Sequence, residues 1–99
     1  MAQIAIPHPG IDEFCSRNQI KRLALFGSVL RDDFRPDSDI DIIVEFVPGR
    51  RVGMLAMARM GRELARLLGA REIDLRTPAE LSRYFRDEVR KKAEVCYES

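Results

Sequence analysis

The chain has 99 residues, of which 45% are hydrophobic and 33% charged, and a formal net charge of +1 at pH 7. This length supports a single domain with a modest core, and the balance of residues excludes disordered and membrane-embedded chains. The near-neutral charge gives no overall electrostatic argument for direct nucleic-acid binding.

The N-terminus predicts a tail rather than a targeting segment. Residues 1–10, MAQIAIPHPG, lack the charged and long apolar regions of a secretion signal, and no stretch reaches the ~18 apolar residues of a membrane span. We therefore expect a cytoplasmic protein that does not engage a membrane. Pro7 and Pro9 flank His8, so we expect residues 1–10 to be flexible and non-helical, ahead of one domain over residues 11–99.

The first elements in chain order are a short helix and a buried strand. Ile11 and Phe14 recur at helical spacing within residues 11–18. Residues 20–26 follow as a strand whose second half is continuously apolar. Because such a run leaves no solvent face, we expect a sheet that is covered on both sides.

The stretch from Gly27 to Asp41 indicates chemistry. Gly27-Ser28 begins a predicted short helix, residues 28–34, whose free N–H groups and hydroxyl favour phosphate. Asp39 and Asp41 follow after ten intervening residues, at alternate positions of a second apolar strand, so their carboxylates project from one face about 7 Å apart. Such a pair requires a neutralising cation, and Mg²⁺ takes one or two carboxylates together with phosphate oxygens. The stretch therefore indicates a metal and nucleotide-phosphate site.

Each of these residues also has a purely structural interpretation. Gly27 can serve only as a turn glycine and Ser28 only as a helix N-cap, and an isolated Asp-Ser-Asp is commonly a solvated turn. Glu45 shares the parity of Asp39 and Asp41 but lies farther along the strand, and we expect it to be solvated or ion-paired.

A long amphipathic helix is predicted next, over residues 51–68, with Gly69 as its C-cap. We expect its methionines, Met54, Met57 and Met60, to pack in or beside the core. The predicted apolar stripe comprises Val52, Leu55, Ala56, Met60, Leu64, Leu67 and Leu68.

The C-terminal third predicts a short strand and a final helix. Residues 71–76 alternate between apolar and polar, with Asp74 on the polar side. Thr77 begins a capping box that opens a helix whose apolar stripe runs as far as Cys96. Cys96 and Cys15 form no metal-binding spacing, so we interpret both as reduced residues that pack in the core.

This order of elements predicts an α+β protein with a small mixed β-sheet packed by helices. If the strand of Asp74 lies beside the strand of Asp39 and Asp41, with all three side chains on one face, three carboxylates converge. Three carboxylates suffice to hold two divalent ions about 4 Å apart. The sequence does not determine that adjacency.

These motifs resemble the DNA polymerase β-like nucleotidyltransferase superfamily, and most closely its minimal, single-domain members. The resemblance rests on Gly-Ser, ten residues, Asp-x-Asp and a later strand with a third aspartate, and on the phrases LALFGS, PDSDIDIIVEF and EIDL. It covers roughly Ile11 to Tyr97. Many of these small proteins are antitoxins paired with a HEPN-domain toxin. Asp32 departs from the pattern, since many relatives carry glycine there.

The resemblance implies a role for each matching residue. The phosphates of ATP would lie against the Gly-Ser turn, and two Mg²⁺ ions, for which Mn²⁺ can substitute, would be held by the carboxylates. The implied nucleotide-binding residues are Gly27, Ser28 and Arg31, although Arg31 can equally pair with a neighbouring aspartate, and the implied catalytic and metal-binding residues are Asp39, Asp41 and Asp74.

The resemblance also implies an acceptor. The chain has no room for a domain that binds tRNA, DNA or an antibiotic, so the acceptor must arrive with a partner or with another copy of the chain in a homo-oligomer. We expect AMP from ATP to be placed on a hydroxyl, a tyrosine, of a HEPN toxin encoded by an adjacent gene, so that the chain acts as an antitoxin. The alternatives are neutralisation of the toxin by binding alone and nucleotidyl transfer to a small molecule.

Overall fold

The fold is a four-stranded sheet with helices, seen in a computed structural model that describes residues 7–27, 39–69, 72–80, 87, 89 and 91–99. The predicted short helix over residues 28–34 lies outside these residues. The elements in chain order are α1 (His8–Arg17), β1 (Ile20–Phe26), β2 (Ile40–Phe46), α2 (Met54–Leu68), β3 (Ile73–Arg76), a 3₁₀ turn (Pro78–Glu80) and β4 (Glu94–Glu98).

The sheet has the order β3-β2-β1-β4 and is mixed, as predicted. β1 pairs antiparallel with β2 and with β4, while β2 and β3 are parallel. All four residues from Leu23 to Phe26 are buried, because β1 lies between two strands and has side chains packed on both of its faces. The predicted fold class is therefore confirmed.

The core lies mainly on one face of the sheet, under α1 and α2. Ile40, Ile42 and Val44 alternate along β2 and pack there with Phe14 and Leu64. The opposite face carries a smaller apolar cluster of Phe26, Ile43 and Val89. The first residues of β2 and β3 on that opposite face are acidic instead, and this placement positions the candidate site.

α1 begins earlier than the sequence pattern predicts. His8 to Gly10 are helical, so the expectation that prolines keep this segment out of a helix is wrong. A proline is tolerated in the first helical turn, because its missing N–H would have no intrahelical partner there. Residues 1–6 are outside the described part, so the flexible tail stays a prediction.

α2 begins at Met54, three residues later than predicted, and ends at Leu68 with Gly69 as its C-cap, as predicted. Gly69 adopts φ 63°, and its N–H donates to the carbonyls of Ala65 and Arg66, which is the usual left-handed C-cap. Met60 is buried and Met57 packs against the core, but Met54 and Leu55 are 91% and 79% exposed. The core placement predicted for these two residues is wrong, because both lie on the solvent side of the first turn of α2, whereas Ala56 and Met57 in the same turn pack against the core.

The C-terminal segment ends in a strand rather than in a helix. The described residues 87, 89, 91 and 92 are helical, but Cys96 lies in β4, which pairs with β1. Ala93 and Cys96 happen to continue the helical spacing, but pairing with β1 satisfies the backbone of this β-branched and aromatic segment. Cys96 still packs against the core, Cys15 is buried, and neither cysteine is in a disulfide.

Within the described ranges, no helix is both long enough and apolar enough to span a lipid bilayer. The expected boundaries of a single domain over residues 11–99 remain a prediction.

Candidate active site

The parallel ladder of β2 and β3 brings Asp41 and Asp74 side by side. Asp41 pairs directly with Asp74, and the register is held at its start by the N–H of Ile40, which donates to the carbonyl of Glu72 at 3.1 Å. The apolar neighbours of each aspartate pack toward α2, so strand alternation directs both carboxylates to the other face. The adjacency that the sequence left open is therefore present.

Electrostatic repulsion within the pair is visible at Asp41. Burial raises the pKa of the Asp41 carboxyl, and the neighbouring Asp74 raises this pKa further, by its charge and by a hydrogen bond between the two carboxyl groups. The charge of Asp39 adds to the rise, while Arg76 opposes it. A half-buried carboxylate with two acidic neighbours is a favourable ligand for a cation.

Arg76 lies beside the carboxylates. It follows Asp74 by two residues on the same face of β3, and its Nε lies 3.2 Å from both carboxylate oxygens of Asp74. The carboxylate of Asp74 in turn raises the pKa of the Arg76 guanidinium. Arg76 was not among the predicted site residues, although its i+2 spacing from Asp74 in a predicted strand indicates that it shares the face.

Gly27 ends β1 directly against Asp41. Phe26 pairs with Asp41 across the antiparallel ladder, and Gly27 has φ 78°. A Cβ placed on Gly27 would collide with the Asp41 carboxylate. The positive φ favours glycine here, and a side chain at this position would displace the Asp41 carboxylate. A site that binds a phosphate next to a metal ion requires such a short distance between a backbone turn and a carboxylate.

The remaining predicted site residues are less fully described. Asp39 is exposed immediately before β2, close enough for its charge to affect Asp41. Ser28 and Arg31 lie outside the described residues. Glu45, farther along β2, lies 3.6 Å from Arg22, as expected for an ion-paired residue.

The donor set suits Mg²⁺. Carboxylate oxygens are hard ligands, and Mg²⁺ usually binds one or two of them and completes its octahedron with phosphate and water. Among the described residues, no group of three acidic, histidine or cysteine side chains is placed to hold a metal ion, so the structure pairs Asp41 with Asp74 but does not bring Asp39 into a three-carboxylate group. Asp41 and Asp74 are the two paired carboxylates that the structure offers to such an ion.

Comparisons with known proteins agree with this geometry. Residues 10–97 match the family model described as "Nucleotidyltransferase domain". A predicted protein adenylyltransferase of Methanocaldococcus jannaschii is 34% identical over 77 residues, which are 78% of this chain and 80% of that protein.

Solved structures are similar as well. The structure of a predicted minimal nucleotidyltransferase is 34% identical with a TM-score of 0.70, and the match covers 87% of this chain and 85% of that one. A chain in the structure of a tri-AMPylated Shewanella oneidensis HEPN toxin in complex with an MNT antitoxin is 20% identical with a TM-score of 0.65, over 93% of this chain and 70% of that one. At this identity the second likeness concerns the fold alone.

Proposed function

The chain belongs to the nucleotidyltransferase domain family and is a nucleotidyltransferase, and from this premise we propose that it transfers AMP from ATP to a hydroxyl of a partner protein. The partner in this proposal is a HEPN toxin encoded by an adjacent gene, modified on a tyrosine, so that the chain acts as its antitoxin. The name of the archaeal relative, a protein adenylyltransferase, supports a protein acceptor. The AMPylated toxin in the Shewanella complex supports the class of partner.

The observation that carries the proposal is the direct pairing of Asp41 with Asp74 next to the close approach of Gly27. Two carboxylates on adjacent strands form an acidic pair, and the backbone of Gly27 lies against the Asp41 carboxylate with no side chain between them. An aspartate on an ordinary solvated surface is exposed and keeps its usual pKa. Asp41 is instead half-buried, and its pKa is raised, as is common for carboxylates in functional sites.

We assign the binding of Mg²⁺ to Asp39, Asp41 and Asp74. When bound, the ions would neutralise the phosphate charge and stabilise the attacking and leaving oxygens of an in-line displacement. The three aspartates would hold the ions in place, while Gly27 and Ser28 would receive the β- and γ-phosphates. In this proposal Arg31 contributes to phosphate binding.

The transfer balances without a side-chain nucleophile. The oxygen of the acceptor hydroxyl forms a new bond to the α-phosphorus of ATP, and the bond between that phosphorus and the β-phosphate bridging oxygen breaks. Pyrophosphate leaves with the bonding electron pair, and the hydroxyl proton is released to water. AMP remains on the acceptor as a phosphodiester. The protein contributes positioning and charge stabilisation, which are the main terms in phosphoryl transfer.

The test is label transfer from ATP carrying a labelled α-phosphate, with Mg²⁺ and the purified product of the adjacent gene. We expect label on that product with the wild-type chain and none with Asp39→Ala/Asp41→Ala. A matched control, Asp12→Ala/Glu13→Ala, removes two carboxylates from exposed positions of α1 and should label normally. A stable complex without label transfer would overturn the enzymatic proposal and favour neutralisation by binding alone.

A further inference from the structure

A groove with a volume of about 500 Å³ lies between α2 and β3. α2 contributes the small residues Ala58, Gly61 and Ala65 to its lining, and β3 contributes residues 73–75. Asp74 borders the groove, so the groove is continuous with the strand that carries the candidate active site. Its principal lining residues are Ala58, Gly61, Arg62, Ala65, Glu72 and Leu75.

β3 is the outermost strand on this side of the described sheet. β2 pairs with one side of β3, and no other strand among the described residues pairs with its outer side. The N–H and C=O groups on an outer strand edge are a template for pairing with an extended polypeptide. Several domains bind peptides in this way, with backbone pairing supplying affinity and adjacent pockets supplying specificity.

Gly61 supports close approach from outside the chain. It lies inside α2, where glycine destabilises a helix relative to alanine. Packing within the chain gives no reason for this glycine, because a Cβ at Gly61 would meet no described atom within 4 Å. Gly61 lines the groove together with β3, so its missing side chain widens the space beside this strand.

We propose that this groove and the outer edge of β3 bind an extended segment of the acceptor protein, the segment that carries the hydroxyl to be modified. This inference rests on the proposed function and specifies the position at which the acceptor binds. The added strand would lie about 4.7–4.9 Å from β3. Its backbone would pair with Ile73–Arg76.

Strand alternation explains why this position suits an acceptor. Ile73 and Leu75 face α2, whereas Asp74 faces Asp41 on the opposite side of the sheet. An added strand therefore places every second side chain over the groove beside Gly61, and the side chains between them on the carboxylate face. A hydroxyl-bearing side chain opposite Asp74 lies next to the proposed metal site. The groove side chains would fix the register that delivers it.

Hydrogen exchange of the wild-type chain tests the binding position independently of catalysis. The probe is the purified product of the adjacent gene, mixed with the chain without ATP. We expect the amides within Ile73–Arg76 that point to the outer edge, away from β2, to exchange at least tenfold more slowly in the complex. Unchanged exchange at these amides in a complex that forms would overturn the inference, whether or not label transfer occurs.

A second arm blocks the groove. Gly61→Trp should fill the groove from a position with open space for a side chain, and should reduce both partner labelling and β3 protection at least tenfold. Leu55→Trp is the matched control on the same helix, because Leu55 is 79% exposed and does not line the groove. Its labelling should match wild type. Melting temperatures and the thermal shift with Mg²⁺ and ATP verify that both variants fold and keep the nucleotide site.

The outcomes separate the two proposals. If the Gly61→Trp variant labels the partner as well as wild type does, the proposal that the acceptor binds in the groove is overturned, and the proposed function stands. Protection of β3 without any labelling of the partner keeps the docking position and overturns the proposed transfer.

Discussion

The two faces of the sheet use the same strands for different purposes. Toward α1 and α2, Ile40, Ile42 and Val44 are at most 1% exposed and form the main core. On the other face, Asp41 alternates with these residues and lies against another carboxylate, at an electrostatic cost. One parity of β2 therefore builds the main core, whereas the other parity carries the carboxylate that we propose for metal binding together with Ile43 of the smaller cluster. A single-residue change of register would exchange the two roles.

The largest expected effect is on catalysis at the carboxylate face. Asp41→Asn should lower the rate of nucleotidyl transfer about 1,000-fold, since charge stabilisation by bound metal contributes several kcal/mol to the transition state. The measurement is the initial rate of label transfer. Glu45→Gln, on the same strand and face, should change the rate less than about threefold, because Glu45 pairs with Arg22 instead. Equal rate losses in the two variants would show that the loss follows from removing any negative charge on this face, and would contradict a specific role for Asp41.

The next effect concerns stability on the helix-covered face. Ile42→Ala should cost about 2–5 kcal/mol of unfolding free energy, because Ile42 is 0% exposed within the main core. Ile43→Ala lies in the smaller cluster on the other face and should cost less. Urea titration measures both, with the midpoint shifting and the slope unchanged. A larger loss for Ile43→Ala would reverse the assignment of the two faces.

Substitution by alanine should change the stability in opposite directions at the glycine inside α2 and at the glycine that caps it. Gly69→Ala should destabilise by about 1–2 kcal/mol, because φ 63° is strained for a residue with a Cβ. Gly61→Ala should stabilise by about 0.5–1 kcal/mol, because it removes glycine from a helix interior without a clash. Thermal melts of the free chain measure both. A destabilising Gly61→Ala would mean that the groove is filled by the chain itself.

A smaller effect reports the cost of the carboxylate pair. The folded state raises the pKa of Asp41, so it favours the protonated form, and ionisation lowers stability as the pH rises above the ordinary aspartate pKa. Asp41→Asn removes this ionisation. In EDTA, the variant should melt higher than wild type near pH 7, and the difference should vanish at a pH below the ordinary value. A lower melting temperature at pH 7 would indicate that the ionised carboxylate is stabilising.

Local patterns predicted most of the fold. β1, β2 and β3 are short apolar or alternating runs bounded by turn residues, and α2 has a helical apolar stripe ended by Gly69. The final helix was predicted correctly at the described residues 87, 89, 91 and 92. Its extension to Cys96 was wrong, because Cys96 continues the helical spacing by coincidence while its conformation depends on pairing with β1. Such long-range pairing leaves no mark in a local pattern.

The candidate site was predicted in composition but not in arrangement. Asp39 and Asp41 are marked by their alternation, and the motif resemblance indicates Asp74. The contact between Asp41 and Asp74 depends on β2 and β3 being adjacent and parallel, a property of the whole sheet. The exposure of Leu55 was missed for the same reason, since it depends on what lies nearby in space. The ion pair of Arg76 with Asp74 is local, and its i+2 spacing in β3 made it predictable.

The most direct test of the central claim is the thermal shift produced by Mg²⁺ and ATP together, measured for wild type, Asp41→Asn, Asp74→Asn and the control Glu45→Gln. At ligand concentrations about 100-fold above the dissociation constant, binding adds about 2.7 kcal/mol, a rise of about 10–20 °C for a domain of this size. The account predicts that rise for wild type and Glu45→Gln, and its loss in both aspartate variants. A full shift in either aspartate variant would contradict the claim that Asp41 and Asp74 form one metal and nucleotide site.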